Sequence, residues 1–432
     1  MVSAQKSLDQ IFNKLLVDKR IFSKKEVLRH SYTPPILPHR DKQIEALASI
    51  LVSAVKGETP SNVFIYGKTG TGKTAVTLNV GEGLVEKVGG YCFSNIFNNS
   101  NLRVLRKGGI PVWFIYTNCE IVDTQYRLLA KLAEYLGQSI PLTGWPTDKV
   151  FETFFRAVDK EERLVIVVLD EIDKLLRKGS DDVLYNLTRI NSDLKRAKVS
   201  IIGISNDLNF IEYLDPRVRS SLGEEELIFP PYDALQLVDI LEQRAKIGFH
   251  LGVLDDGVIQ LCAAFTAQEH GDARRALDLL RVAGEFAERK NSTRVTERHV
   301  KLAKESIEQD RVSEVVKTLP SQSKLVLFSI MLLEKYSTTT MTTGECYNVY
   351  KDLCKLSSMD ILTQRRVSDL ISELDMMGIL NATVVSKGRY GRTREIRLGV
   401  APSQIRRVLE LDHRIQRVLT YVPPIQHKLG SS

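Results

Sequence analysis

Cysteine is scarce in this sequence, and the five present, Cys92, Cys119, Cys262, Cys346 and Cys354, are scattered and never spaced as C-x-x-C. That distribution supports neither a disulfide framework nor a cysteine zinc site. No apolar run approaches the roughly 18–20 residues of a membrane-spanning helix. The stretch from Met1 to Arg20 also lacks the apolar core of a secretory signal. A reducing, cytoplasmic compartment without membrane partners is therefore expected. There is no internal repeat and no low-complexity tract. Charge of one sign does not dominate either: 60 Lys and Arg face 53 Asp and Glu, a net charge of +7. With 43% hydrophobic and 26% charged residues the chain has the make-up of a folded globular protein, which excludes wholesale disorder. The small excess is unevenly placed. From Thr318 to Ser432 there are 16 Lys and Arg against 10 Asp and Glu, which predicts a C-terminal surface suited to a polyanion.

A length of 432 residues allows two to four domains. Residues 1–40 read as an arm, with a short amphipathic helix near Leu8–Leu16 and a proline-rich segment, Tyr32–Arg40, that cannot be helical. Residues 41–232 alternate helical stretches with five short apolar runs: Asn62–Tyr66, Val112–Thr117, Leu164–Leu169, Ser200–Ile204 and Glu226–Phe229. Runs of this kind predict an α/β fold with a parallel sheet covered on both faces. The Asn-rich segment Gly89–Gly109 reads as an exposed loop. Residues 233–316 read as helices only: Ala234–Ile247, Asp256–Glu269, Ala273–Glu288 and Glu297–Glu308. A hinge at Thr318–Ser321 leads into a last unit, 317–432, with helices at Ser323–Lys335, Thr343–Lys355 and Thr363–Met377 and a hairpin from Leu380 to Leu398.

The first apolar run ends in Gly67-Lys68-Thr69-Gly70-Thr71-Gly72-Lys73-Thr74, followed by a helical stretch. This is the G-x-x-x-x-G-K-[ST] phosphate loop in its required strand-to-helix context. Its glycines let backbone N–H groups face phosphates, Lys73 reaches the β and γ oxygens, and the Thr74 hydroxyl can ligate Mg²⁺. Leu164–Leu169 runs into Asp170-Glu171-Ile172-Asp173. Carboxylates at the end of a buried parallel strand are costly unless they meet a cation or a solvated cleft. Asp170 is expected in the magnesium shell and Glu171 as the group that polarises the attacking water, although the carboxylates could also merely cap the next helix. Asn206 follows another strand, where asparagine is most often a turn former. Arg217 and Arg219 lie near Glu224–Glu226, which also fits surface ion pairing. Arg274 and Arg275 open a helix against its macrodipole, so an anion is expected nearby.

In this order, phosphate loop, DEID, strand-end Asn, DPRVRSSL and GDARRALDLL, the motifs resemble those of the AAA+ ATPases. GDARRALDLLR, SSLGEEELIFPPY and TQRRVSD further resemble the archaeal replication initiators related to the eukaryotic origin recognition complex and its partner helicase loader. The resemblance implies an AAA+ base, a helical lid and a C-terminal winged helix, with ATP or ADP and Mg²⁺ as ligands. It implies Asn206 as the sensor that aligns water, Arg274 as the lid sensor of the γ-phosphate, and Arg217, or else Arg219, as an arginine finger acting on a neighbouring subunit. Tyr232 joins the nucleotide-binding set, and Tyr32–Arg40 matches the position packed against adenine. The helical segment Glu120–Leu136 resembles the initiators' DNA-touching insertion, with Thr124 and Arg127 as contacts.

In the last unit, Val367, Leu370, Ile371, Leu374 and Met377 form an apolar helical stripe that leaves Arg365, Arg366, Ser368 and Ser372 outward. Three helices and a hairpin of this kind suggest a winged helix whose third helix enters a DNA groove. The hairpin tip carries Lys387, Arg389, Tyr390, Arg392 and Arg394, a basic block suited to phosphates. The expected function is an ATP-regulated replication initiator that binds double-stranded origin DNA, associates with other copies or paralogues, helps load the replicative helicase and is nucleoid-associated. An ATP-switched transcriptional regulator and a helicase-loading motor without site preference fit the same parts.

Overall fold

The structure, a computed structural model, describes residues 21–30, 32–93, 102–104, 110–141, 143–176, 181–222, 224–336, 341–386 and 392–424. The helix expected near Leu8–Leu16 lies outside them. The chain divides into two compact units, Met1–Ala303 and Lys304–Ser432.

In the first unit, α1 (Asp41–Val55) precedes β1 (Val63–Tyr66), and α2 (Lys73–Val88) leads to β2 (Gly90–Phe93), β3 (Leu102–Val104) and β4 (Val112–Asn118). Then follow α3 (Gln125–Tyr135), α4 (Thr147–Val158), β5 (Leu164–Asp170), α5 (Ile172–Leu176), α6 (Asp181–Arg189), β6 (Lys198–Ser205), α7 (Pro216–Leu222) and β7 (Glu225–Ile228). The strands form one sheet in the order β3-β2-β4-β5-β6-β1-β7. Six are parallel, and β3 pairs antiparallel with β2 at the edge. Strand β5 shows why a continuous apolar run becomes a central strand. Val165, Val167 and Leu169 point into the core beneath α3 and α4, while Leu164, Ile166 and Val168 point into the core beneath α1 and α2.

Gly89–Gly109, expected as a loop, contributes β2 and β3, and its other residues from 94 to 101 and 105 to 109 lie outside those described. A four-residue strand beside an Asn-rich run carries too little pattern to read. It forms because Gly90–Phe93 finds β4 in parallel register, Gly90 against Val112, and buries Cys92.

The lid follows as α8 (Ala234–Gly248), α9 (Val258–Glu269) and α10 (Ala273–Arg289), and the arm belongs to it in part: Ile21, Phe22 and Leu28 are buried in the same core as Leu241, Leu280 and Ala283. Helix α11 (Glu297–Thr318) runs ten residues beyond the expected Glu308 end, and the boundary between the two units falls within it, at 303/304, rather than at 316/317. The extension is explained by Val312, Val315 and Val316, whose helical spacing places them on the core of the second unit.

That unit contains α12 (Ser321–Tyr336), β8 (Met341–Thr342), α13 (Thr343–Ser357), α14 (Gln364–Met376), β9 (Leu380–Ser386), β10 (Arg392–Leu398), α15 (Pro402–Leu409) and α16 (His413–Gln416). Its sheet runs β8-β10-β9, antiparallel. Thr342 and Glu345 form a capping box that starts α13. On α14, Val367, Leu370, Ile371 and Leu374 are buried as the stripe predicts, but Met377 is the C-cap and 49% exposed. Helices α15 and α16, which periodicity did not reveal, close the core with Ile405, Leu409 and Ile415.

Candidate functional site

The register of the central strands gathers residues that are far apart in sequence. Asn118 on β4 stands beside Asp170 on β5, Asp170 beside Ile204 on β6, and Ser205 beside Tyr66 on β1, so the carboxyl ends of four strands share one edge. Ligands of open α/β sheets bind at such an edge. The phosphate loop leaves β1 there and turns into α2 at Gly72, whose φ of +88° favours glycine and where a Cβ would stand 2.9 Å from the Tyr232 hydroxyl.

Lys73, only 5% exposed, donates from Nζ to the carbonyls of Gly67 and Lys68, both at 2.7 Å, and to Asn206 Oδ1 at 2.9 Å. Burial pulls its pKa down from 10.5 to about 8. Asp170 Oδ2 accepts from the Thr74 hydroxyl at 2.7 Å and the Tyr116 hydroxyl at 2.8 Å, and Oδ1 accepts from the Glu171 N–H at 2.9 Å. Glu171 has φ +53°, a conformation that a non-glycine residue holds only at a cost of about 1–3 kcal/mol. Burial, and then Glu120, raise its pKa. Asp173 does not join this group, since its Oδ1 accepts from Ser205 Oγ at 3.1 Å in the buried layer below.

These groups open onto a cavity of about 420 Å³. Gly70, Thr71, Gly72, Lys73, Thr74, Asp170, Glu171, Asn206, Tyr232 and Arg274 all line it, while Gly67, Lys68 and Thr69 form the adjoining part of the loop. The arm and the lid contribute apolar side chains to the lining, Pro34, Leu37, Ile240 and Leu277, together with the polar Gln243 and Arg244. Cations, loop N–H groups and a hydroxyl–carboxylate pair, with apolar side chains in the same cavity, fit a nucleotide with its magnesium ion. The guanidinium of Arg274 has no hydrogen-bond or ion-pair partner among the described residues, whereas Arg275 pairs with Glu269 at 2.7 Å.

Three side chains that hold the site together were not among the sequence expectations. Arg40 is 2% exposed and ties the arm to the loop: Nε donates to the Thr71 carbonyl at 2.8 Å, Nη2 donates to the Pro230 carbonyl at 2.7 Å, and its guanidinium lies 3.8 Å from the Tyr232 ring centre. Tyr116 sits within a strand, where only the pairing with β5 aims its hydroxyl at Asp170. Asp272 could have been found, because a Gly-Asp pair before a helix is an N-cap signature, and its Oδ1 does accept from the N–H groups of Arg274 and Arg275.

Arg217 is not among the cavity residues. It is exposed, paired through Nε and Nη2 with Asp215 at 3.1 and 3.0 Å, and placed 4.8 Å over the Tyr185 ring, with Arg219 exposed nearby. Thr124 caps α3 by accepting from the Arg127 N–H, and the exposed Arg127 guanidinium pairs with Asp123 at 3.2 Å.

In the second unit, Arg365 stands exposed on the first turn of α14, Arg366 pairs with Glu373 at 3.6 Å, and Ser368 is half-buried. Arg394 departs from the expectation of a side chain extended toward phosphates. Its Nη1 donates to the Ser368 carbonyl at 3.1 Å and to the Ser372 hydroxyl, fastening β10 to α14. Lys387, Arg389 and Tyr390, and the side chain of Arg392, lie outside the described residues.

Comparison with known proteins agrees with this geometry. Residues 36–202 match the AAA ATPase domain, 238–305 the Cdc6 AAA+ ATPase-type lid domain, and 314–408 the CDC6 C-terminal winged helix domain. The chain is 60% identical to ORC1-type DNA replication protein 1 of Methanosarcina mazei over the full length of both, and 60% identical to the ORC1-type DNA replication protein of Pyrococcus horikoshii over 96% of each. Among solved structures, the Aeropyrum pernix ORC1 protein in complex with DNA covers 93% of this chain and is itself covered completely, with 46% identity and a TM-score of 0.78. With base, lid and winged helix all matched in order, the chain belongs to the family of ORC1-type DNA replication proteins and carries an AAA+ ATPase domain.

Proposed function

We propose that this protein binds double-stranded origin DNA and uses ATP as a slow conformational switch, the ATP-bound form being the one that helps load the replicative helicase. The observation that carries the switch is the cavity itself, where Lys73 and the unpaired Arg274 belong to base and lid respectively and face one phosphate cradle. Gly67–Thr74 would hold the phosphates, and Thr74 with Asp170 a magnesium ion, which neutralises phosphate charge when bound. Glu171 takes the role of accepting a proton from the attacking water, Asn206 of orienting that water, and Tyr232 and the arm of enclosing the base. Arg274 answers to the γ-phosphate and so lets the lid distinguish ATP from ADP. Arg217, exposed and held by Asp215, is suited to reach the nucleotide of a neighbouring copy, as an arginine finger does.

DNA binding is assigned to the winged helix, through Arg365, Arg366 and Ser368 on α14 and the wing residues Lys387, Arg389, Tyr390 and Arg392, and to Thr124 and Arg127 at the start of α3. Arg394 supports the wing from within. The relative solved in complex with DNA, similar over 93% of this chain, supports that assignment. The test is footprinting on genomic fragments with ATP and with ADP. Repeated protected sites beside a replication start, with a nucleotide-dependent pattern, are expected; uniform protection, or none, would overturn the proposal.

A further inference from the structure

Where the lid meets the phosphate loop, a buried carboxylate and a neighbouring backbone hydrogen bond make the contact. Asp272, 7% exposed, ends the loop before α10 and uses its two oxygens for different partners. Oδ1 accepts from the N–H of Arg274 at 2.8 Å and of Arg275 at 3.3 Å, which fixes the first turn of the helix. Oδ2 accepts from the Thr69 hydroxyl at 3.3 Å, on the phosphate loop. The Ala273 N–H then donates to the Gly70 carbonyl at 3.2 Å. Gly70 has φ +69°, and a Cβ there would overlap the Asp272 carboxylate, so the loop turns glycine toward the lid where the acid sits. On its other side, the Tyr232 N–H donates to the Gly271 carbonyl at 3.2 Å, which wedges residues 271–273 between the phosphate loop and the chain leaving the sheet.

We infer that Asp272 is a positioning residue that docks the N-terminus of α10 onto the Thr69–Gly70 turn and thereby aims Arg274 at the phosphate cradle. A helix cap alone needs only the two N–H bonds from its own first turn. The additional bond to Thr69 links the element carrying Arg274 to the element that wraps phosphates, so the placement of one is set by the other. Because α10 continues into the lid core through Leu277 and Leu280, a displacement of the Thr69–Gly70 turn is passed to the lid as a rigid helix.

This inference rests on the proposed role of Arg274 as the group that tells ATP from ADP, and the experiment separates the two. Affinities for ATP and ADP are measured by competition against a fluorescent nucleotide, using the full chain and the variants Arg274→Ala, Asp272→Ala, Asp272→Asn and Thr69→Val. Arg274→Ala is expected to lose the preference for ATP while ADP affinity is kept. Asp272→Ala and Thr69→Val should lose the same preference, and adding Arg274→Ala to Asp272→Ala should change it no further than about twofold. Asp272→Asn, which still caps the helix and can still bond Thr69, should retain the preference. Thr69→Val leaves the helix cap intact, so it decides the matter should Asp272→Ala fold poorly. If Arg274→Ala leaves the preference unchanged, the proposed role of Arg274 fails. If Arg274→Ala removes it but Thr69→Val and Asp272→Ala do not, or if those two weaken ATP and ADP equally, Asp272 is only a cap and the inference is overturned.

Discussion

Around the phosphate loop, Lys73 and Asp170 are 5% and 6% exposed and each is held by three hydrogen bonds, whereas on α14 Arg365 and Arg366 stand in solvent with one carboxylate between them. Both regions are proposed to meet phosphate, yet they manage charge in opposite ways. In the cavity, the groups are desolvated in advance and their positions fixed by neighbours, so little reorganisation remains when an anion enters. On the winged helix, charge stays exposed to water, which suits a long polyanion met by counterion release. Arg394 marks the boundary between the two strategies. It is partly buried and holds β10 to α14, where the sequence suggested a free phosphate contact.

The sharpest way to break this comparison is to remove a preset group. Lys73→Ala should cost about 2–5 kcal/mol of nucleotide binding, because the partners of a buried charge are left without it. Glu171→Gln should bind nucleotide normally while turnover falls by about 10²–10⁴-fold, as expected when a general base is removed. Equilibrium binding and single-turnover hydrolysis on the same preparations distinguish the two, and equal weakening of binding in both would remove the division of roles.

Next in size is the effect of pH. In the free protein Lys73 loses its proton near pH 8, and a phosphate favours the charged form, so affinity should be flat below about pH 8 and fall by up to about tenfold per pH unit above it. The sign for stability is opposite. A lysine whose folded pKa lies below its unfolded value penalises the fold while both states are protonated, and that penalty is relieved as pH rises from about 8 toward 10.5. Affinity measured alongside thermal unfolding therefore separates loss of charge from loss of structure.

On the exposed side the effects are smaller and differ in kind. Arg365→Ala should cost on the order of 1–3 kcal/mol at preferred DNA sites and little on random DNA, if it meets a base edge. Neutralising Lys387, Arg389 and Arg392 should weaken both DNAs alike and flatten log affinity against log salt by about 0.9 for each phosphate that is no longer neutralised. A salt series on an origin fragment and a scrambled fragment reads both. An unchanged slope in the wing variant would show that these charges do not touch phosphate. The least effect is expected from Arg217→Ala on ATP affinity of the isolated monomer, because that side chain is 71% exposed and bonded to Asp215 rather than directed at its own cavity. Hydrolysis should suffer only where copies adjoin, and a weakened monomer affinity would discard Arg217 as the finger.

What the sequence determined by itself was the local chemistry. Strand, glycine-rich loop and helix in one continuous stretch define a phosphate loop, because its N–H groups and Lys73 are set by backbone geometry within eight residues. The apolar runs through Leu164–Leu169 and Ser200–Ile204 define buried parallel strands, and the stripe on α14 divides its buried from its outward face, because periodicity of two or 3.6 is a property of the backbone alone. Only the tertiary structure decided which distant residues complete the site. Tyr116 meets Asp170 through strand register, Arg40 reaches Thr71 across the arm, and Asp272 fills the space that Gly70 leaves open. The strand β2 and the fastening of Arg394 to α14 belong to the same class. Each depends on a partner supplied from another element, and a pattern confined to one segment carries no record of a pairing made between two.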